Sequence, residues 1–439
     1  MLEITYSSHI NQKIQTESRE KLEKENEELN RVYDEGGYDD VRSSLNLPFD
    51  ESILKNCSEL FKKVDDASVI VVVGIGGPGL AAKSIYQATN GVLANEDPSN
   101  DKNIYYADTT DSLYIEQIKR ILKKHIENGK KVLINIISKS GKTTETLANF
   151  SVLVDFLEEN QPDWRNYVVV TTGRQSELWK NGEENGFHLL SLPEPVGGRY
   201  SAFSSVGIFP LKFMGVNCER LLEGARDAVL NGLQEDIFKN HSMSTANVIY
   251  NGRKKIFDLA IFSNQFDDIG KWYKQLMGES LSKEFSKDGT RRVNAGINPD
   301  YNIGSTLLHS ITQTYLSSIG SRDRIIGILN IKSNNEDLPL KPSKGLDSII
   351  EGIFGLNLSQ IMEVLPKGVK MALEKRKVLF MEMEIDEINE YNVGYLLQMF
   401  MIQMMYLGAL YGVNPFDQPD VERYKIFLKD LLKEAKSKI

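Results

Sequence analysis

Apolar runs of strand length alternate with helical patterns along most of this chain, and no other feature constrains its fold as strongly. Ser68-Val-Ile-Val-Val-Val73 precedes a helical pattern from about Leu80, Asn103–Ala107 precedes Leu113–Ile126, and Val132–Ile137 precedes a helix from Thr143. Tyr167–Thr171 continues the series, which starts afresh at Phe257–Ser263 and returns at Ile325–Lys332 and Val378–Ile385. Strands separated by helices pair in parallel, because a parallel neighbour requires a crossover and a helix supplies one. The expected class is α/β, as two tandem doubly wound parallel-sheet units, and 439 residues suffice for two cores. The charge-rich stretch 12–34, with Leu22 and Leu29, reads as a solvated or partner-packing helix. The expected organisation is an N-terminal helical arm over 1–60, α/β domains over 61–215 and 216–412, and a C-terminal motif and helix over 413–439.

The net charge of -9 argues against nucleic acid and anionic membranes as partners, while leaving room for a local anion pocket. Two distant cysteines, Cys57 and Cys218, indicate neither a disulfide scaffold nor a zinc site. Met1–Gln12 lacks the pattern of a signal peptide, so a cytoplasmic location is expected. Tyr395–Tyr411 is apolar but short for a bilayer span and contains Gln398 and Gln403, which reads as a buried core helix.

Gly74-Ile-Gly-Gly-Pro-Gly79 leaves the first strand and spells G-x-G-x-x-G, the pattern of a dinucleotide pyrophosphate loop. That reading also needs an acidic residue ~20 residues further on, and Asp108 comes late. The glycines serve equally as a strand-to-helix turn that tolerates positive φ. A second loop, Ser138-Lys-Ser-Gly-Lys-Thr-Thr-Glu-Thr146, ends like a Walker A motif, yet Ile136 stands where its first glycine is required. Its hydroxyls, Ser138, Ser140, Thr143 and Thr144, with Lys139 and Lys142 at a helix N-terminus, exceed what a cap needs and suit a single phosphate.

That loop resembles the phosphate-gripping loop of the glucose-6-phosphate isomerases. Three further stretches resemble the same family in the same order: Glu194-Pro-Val-Gly-Gly-Arg-Tyr-Ser201, Gln275-Leu-Met-Gly-Glu-Ser280, and Asn414-Pro-Phe-Asp-Gln-Pro-Asp-Val-Glu-Arg-Tyr-Lys425. The resemblance implies sugar-isomerase-type domains and an enzyme that interconverts glucose 6-phosphate and fructose 6-phosphate through a cis-enediol, a step of glycolysis and gluconeogenesis. Such chemistry moves a proton between adjacent carbons, so it needs one base, one charge stabiliser and an acid/base pair for ring opening, without metal or other cofactor.

Glu279 lies on a helical pattern with Gln275 one turn earlier on the same face. The resemblance implies that Glu279 is the C1–C2 proton shuttle, with Gln275 beside the substrate. It makes Arg199, which follows two glycines, the stabiliser of the enediolate. It assigns ring opening to His309 and Lys425, with His309 contributed by the neighbouring subunit of a homodimer with composite active sites. Gly76, Gly77, Ser138, Lys139, Ser140, Thr143 and Gln418 would hold the substrate and its phosphate.

Three positions depart from the family pattern. Pro78 replaces a usual serine and removes a hydroxyl and an N–H donor, Lys142 replaces a threonine, and Asp420 replaces a glycine. Two alternatives accompany the leading reading: a broader phosphosugar isomerase that also accepts mannose 6-phosphate, and a phosphosugar-binding regulatory module without catalysis.

Overall fold

A computed structural model describes residues 2–10, 16–318, 321–333, 338–341, 345, 349 and 351–437. Met1 and residues 11–15 of the N-terminal arm lie outside them. The arm is more than helical: it opens with a strand, β1 (Leu2–Tyr6), before the helix Thr16–Glu35.

The first sheet comprises β2 (Ala67–Val73), β3 (Asn103–Ala107), β4 (Lys131–Ser138), β5 (Val168–Thr172) and β6 (His188–Ser191), all parallel, in the order β3-β2-β4-β5-β6. Helices on both faces bury Val69–Val73 and Val132–Ser138 throughout, which is why these strands read as continuous apolar runs rather than alternating ones. The chain passes from β2 outward to β3, then crosses back over β2 to β4. The winding reverses between β2 and β4, and crevices that bind ligands form at the carboxyl ends of such strand pairs. The glycine loop leaves β2 and the hydroxyl loop leaves β4 at this point.

The second unit contains β7 (Ile256–Ile261), a hairpin of β8 (Lys283–Phe285) and β9 (Arg292–Ala295), then β10 (Asn298–Ile303), β11 (Arg324–Ser333) and β12 (Phe380–Glu387). Its sheet runs β10-β7-β11-β12 in parallel, the same winding as the first, and β1 adds to β12 antiparallel with Leu2 opposite Ile385. The N-terminal strand thereby covers the edge of the sheet farthest from it in sequence, and leaves fewer unpaired backbone groups at that edge.

Helix Glu390–Tyr411 is the only helix among the described residues long and apolar enough to cross a membrane, and 89% of its apolar window is buried within the fold. It is a core helix. Its internal Gln403 donates to Thr245 Oγ1 at 2.7 Å and accepts from Tyr273 OH at 2.8 Å, so the polar side chain is satisfied in place. Helix Cys218–Gly232 packs against it almost backbone to backbone. A Cβ at Gly224 would lie 1.9 Å from Tyr391 O, and one at Gly394 would lie 2.0 Å from Leu221 O. Both cysteines are free and buried, and burial pushes each thiol up to about 12.

Because neither backbone can yield without separating the two helices, Gly394→Ala should cost about 2–3 kcal/mol. A clearly lower urea midpoint is expected, and an unchanged one would show that the helices are not held this closely in solution.

Candidate active site

Helix Asp267–Leu281 crosses from the second unit to the glycine loop of the first. Asp267 and Asp268 favour its N-terminus, and Ile269, Trp272, Tyr273, Leu276 and Met277 form its buried stripe. Gln275 and Glu279 fall one turn apart on the half-buried face that remains. Gln275 Nε2 donates to Glu279 Oε1 at 3.0 Å, and Arg199 Nη1 donates to Glu279 Oε2 at 3.3 Å. Each carboxylate oxygen therefore has a fixed partner, which leaves the group little freedom to rotate.

Glycines are required where the two units meet. Gly76 sits at φ +70°, and a Cβ there would approach Gln275 Nε2 to 2.8 Å. A Cβ on Gly77 would lie 2.5 Å from the Gly198 carbonyl and 2.6 Å from Arg199 N. The glycine loop thus presses on the loop that carries Arg199. Pro78 stands in the first turn of helix Gly77–Asn90, where a missing N–H breaks no helical bond, and it packs near Gly198.

Arg199, only 3% exposed, is the most heavily bonded of these groups. Its Nε donates to Ser280 Oγ at 2.9 Å, its Nη1 also donates to Gln418 Oε1 at 2.7 Å, and its Nη2 donates to Pro415 O at 2.6 Å and Asp417 O at 3.0 Å. The Asn414–Gln418 loop is therefore drawn against the end of the Glu279 helix. Tyr200 OH reinforces the junction by bonding Ser280 Oγ at 2.9 Å and Pro415 O at 3.2 Å.

In the hydroxyl loop, Gly141 at φ +64° makes the turn into helix Thr144–Asn160. Thr143 occupies the N-cap position, yet its hydroxyl bonds Ser138 Oγ at 3.1 Å instead of capping the helix. The first-turn N–H groups are thereby left without a side-chain cap beside the paired hydroxyls, a cradle suited to an anion. Ser140 Oγ accepts the Lys142 N–H at 3.2 Å, and Lys139 and Ser140 are exposed at the mouth. Desolvation holds the Lys139 ammonium below the ordinary lysine range, with Glu194 opposing and the charge of Arg199 adding to the depression.

Two expected residues make no hydrogen bond or ion pair with Glu279 among the described residues. His309 is exposed at the end of the turn Thr306–His309, beyond β10, and makes no hydrogen bond or ion pair among the described residues. Lys425 lies on helix Pro419–Lys436, which buries no residue, and pairs with Glu422 at 2.6 Å. Asp420 also lies in the first turn of that helix, where an acidic side chain is favourable, and pairs with Arg423 Nη1 at 3.2 Å.

Sequence reasoning passed over Ser280, Tyr200 and Lys283. Lys283 has a side chain only 4% exposed, donates to Glu279 O at 2.5 Å and Asp417 O at 2.8 Å, and pairs with Asp417 Oδ1 at 3.4 Å. The signal available for it was its position four residues after Glu279, the spacing at which a lysine reaches a last-turn carbonyl.

The phosphoglucose isomerase family model matches residues 58–301. The chain is 31% identical over 414 residues to a glucose-6-phosphate isomerase from Methanocaldococcus jannaschii, which covers 93% of this chain and 96% of that one. A hypothetical protein from Thermus thermophilus superposes with a TM-score of 0.86 at 27% identity over 98% of this chain and 100% of that one. A glucose-6-phosphate isomerase from Chlamydia trachomatis shares the fold, with a TM-score of 0.79 at 18% identity over 99% and 89% of the two chains.

If Lys139 serves the anion cradle, its lowered proton affinity gives anion binding a pH dependence whose sign is fixed. Its attraction for an anion is complete below the lowered value and is lost as pH rises through it, before an ordinary lysine near 10.5 would titrate. Calorimetric titration with inorganic phosphate at stepped pH should show affinity falling on the alkaline side in the parent and holding in Lys139→Arg. Coincident profiles would remove Lys139 from the cradle.

Proposed function

The chain belongs to the phosphoglucose isomerase family, and from that premise we propose how its site interconverts glucose 6-phosphate and fructose 6-phosphate. Glu279 takes the proton from C2 of the open-chain aldose, the C–H electron pair forms the C1–C2 double bond, and the aldehyde oxygen takes up the charge. The proton of the C2 hydroxyl passes to the charged C1 oxygen, and the same carboxyl group then returns the carbon-bound proton to C1 as the C2 oxygen becomes a carbonyl. The observation that carries this reading is the gripped carboxylate, with Gln275 at one oxygen and Arg199 at the other.

During the transfer, negative charge leaves Glu279 and appears on the enediolate. A guanidinium buried beside the carboxylate is adjacent to that charge at both ends of the step, and it needs no reorganisation between them. The hydroxyl cradle, open at the neighbouring strand end, would hold the phosphate through Ser138, Lys139, Ser140 and Thr143, with Gln418 on the opposite side. A non-catalytic binding module would require the cradle but would have no use for a fixed, paired glutamate.

The ring-opening pair implied by the family, His309 and Lys425, is exposed on a single chain. The helix that carries Lys425 also exposes Tyr424, Ile426, Phe427 and Leu431, each more than half exposed. An apolar stripe of that kind on an otherwise charged helix favours a second copy as its cover. We read the active enzyme as a homodimer in which His309 serves the Glu279 site of the other subunit. Two unpaired, buried cysteines accord with a cytoplasmic location.

Glu279→Gln keeps the shape and the Gln275 contact while removing the base, so kcat in a coupled isomerase assay should fall about a thousandfold. Turnover near the parent's would sink the proton-shuttle assignment. Mixing Glu279→Gln with His309→Ala under conditions of subunit exchange should restore roughly a quarter of parental activity, since half the dimers would be hybrids with one complete site each. Hybrids that form without regaining activity would show that His309 does not act across the interface.

A further inference from the structure

We propose that Lys283 is a positioning residue for the isomerisation, one of two cations that fasten the Glu279 end of its helix to the C-terminal loop. This inference rests on the role given to Glu279 above. The last carbonyls of a helix lack intrahelical N–H partners and must be satisfied from outside. Glu279 O is such a carbonyl, and its donors are Lys283 Nζ at 2.5 Å and Arg199 Nη2 at 3.5 Å. Asp417 O accepts from the same two cations, at 2.8 Å from Lys283 and 3.0 Å from Arg199. Two carbonyls from different parts of the chain are thus bridged twice, once by each cation.

The arrangement has a cost that a purely structural contact would not need. Lys283 is desolvated and lies beside the like charge of Arg199, and both effects depress its affinity for a proton, with Asp417 and Glu279 opposing. A methionine of similar length would pack there without that penalty. What the ammonium adds is directional. It holds the backbone of Glu279 at a fixed height relative to Arg199 and to Gln418, which follows Asp417 directly. A shift of the base by about 1 Å relative to the substrate carbon lowers turnover by orders of magnitude, while the substrate's phosphate contacts stay intact.

Steady-state kinetics of Lys283→Met, Lys283→Arg and Glu279→Gln, with fructose 6-phosphate as substrate, test this. Lys283→Met should remain folded by circular dichroism, lose about tenfold or more in kcat, and change KM by less than about threefold. Lys283→Arg, which keeps the charge and several N–H donors, should recover most of the loss. A folded Lys283→Met with kcat within about twofold of the parent, or a loss confined to KM, overturns the proposal. If Lys283→Met fails to fold, Lys283→Gln, which keeps an amide donor for one of the two carbonyls, decides by the same two constants. An inactive Glu279→Gln with a fully active Lys283→Met would sink the clamp alone, whereas an active Glu279→Gln would sink the role of Glu279 beneath it.

Discussion

One buried guanidinium holds three parts of this chain together. Arg199 leaves a loop of the first α/β unit, and all five of its N–H groups are used on the end of the Asp267–Leu281 helix and on the Asn414–Gln418 loop. Burying a charge without complete hydrogen bonding costs several kcal/mol, so the position is tenable only because every donor is satisfied. Four of its five principal acceptors are neutral oxygens and only one is a carboxylate. The site therefore keeps unspent positive potential, and it does so where an enediolate would form.

The glycine loop owes its composition to this junction rather than to a cofactor. A β-carbon on Gly77 would strike the Gly198 carbonyl, and one on Gly76 would strike the Gln275 amide. The first unit could then not approach the helix that bears Glu279. Pro78 is tolerated for a related reason. It occupies a first-turn position where the N–H is an orphan in any helix, so the loss relative to a serine is confined to whatever the hydroxyl would have touched.

Much of this was legible in the sequence because it rests on local signals. Continuous apolar runs marked β2, β4 and β5, since strands covered on both faces have no polar side to interrupt the pattern. The hydroxyl loop was legible because four hydroxyls and two lysines exceed the needs of a cap. What escaped depends on contacts distant in sequence. β1 is short and identifiable only by pairing with β12, some 380 residues away in the chain. β6 and β10 carry polar residues because they lie at sheet edges. Lys283 resembles any charged residue at a helix end until the Asn414–Gln418 loop covers it, and long-range burial of that kind is invisible to periodicity.

The same physical distinction separates the two halves of the proposed site. Glu279, Gln275, Arg199 and Gln418 are mutually bonded within one chain, so their geometry is set by folding alone. His309 and Lys425 have no such support: one ends a short turn in solvent, and the other lies on a helix with no buried side chain. Proton transfer between carbons tolerates little displacement, because base, substrate and counter-charge must align together, and on our reading it falls to the half that folding fixes. Ring opening moves a proton between oxygens that can be reached through longer, more adaptable side chains. On our reading that task is left to groups fixed only when a second copy packs against them, so assembly would complete the site without having to build its most exacting part.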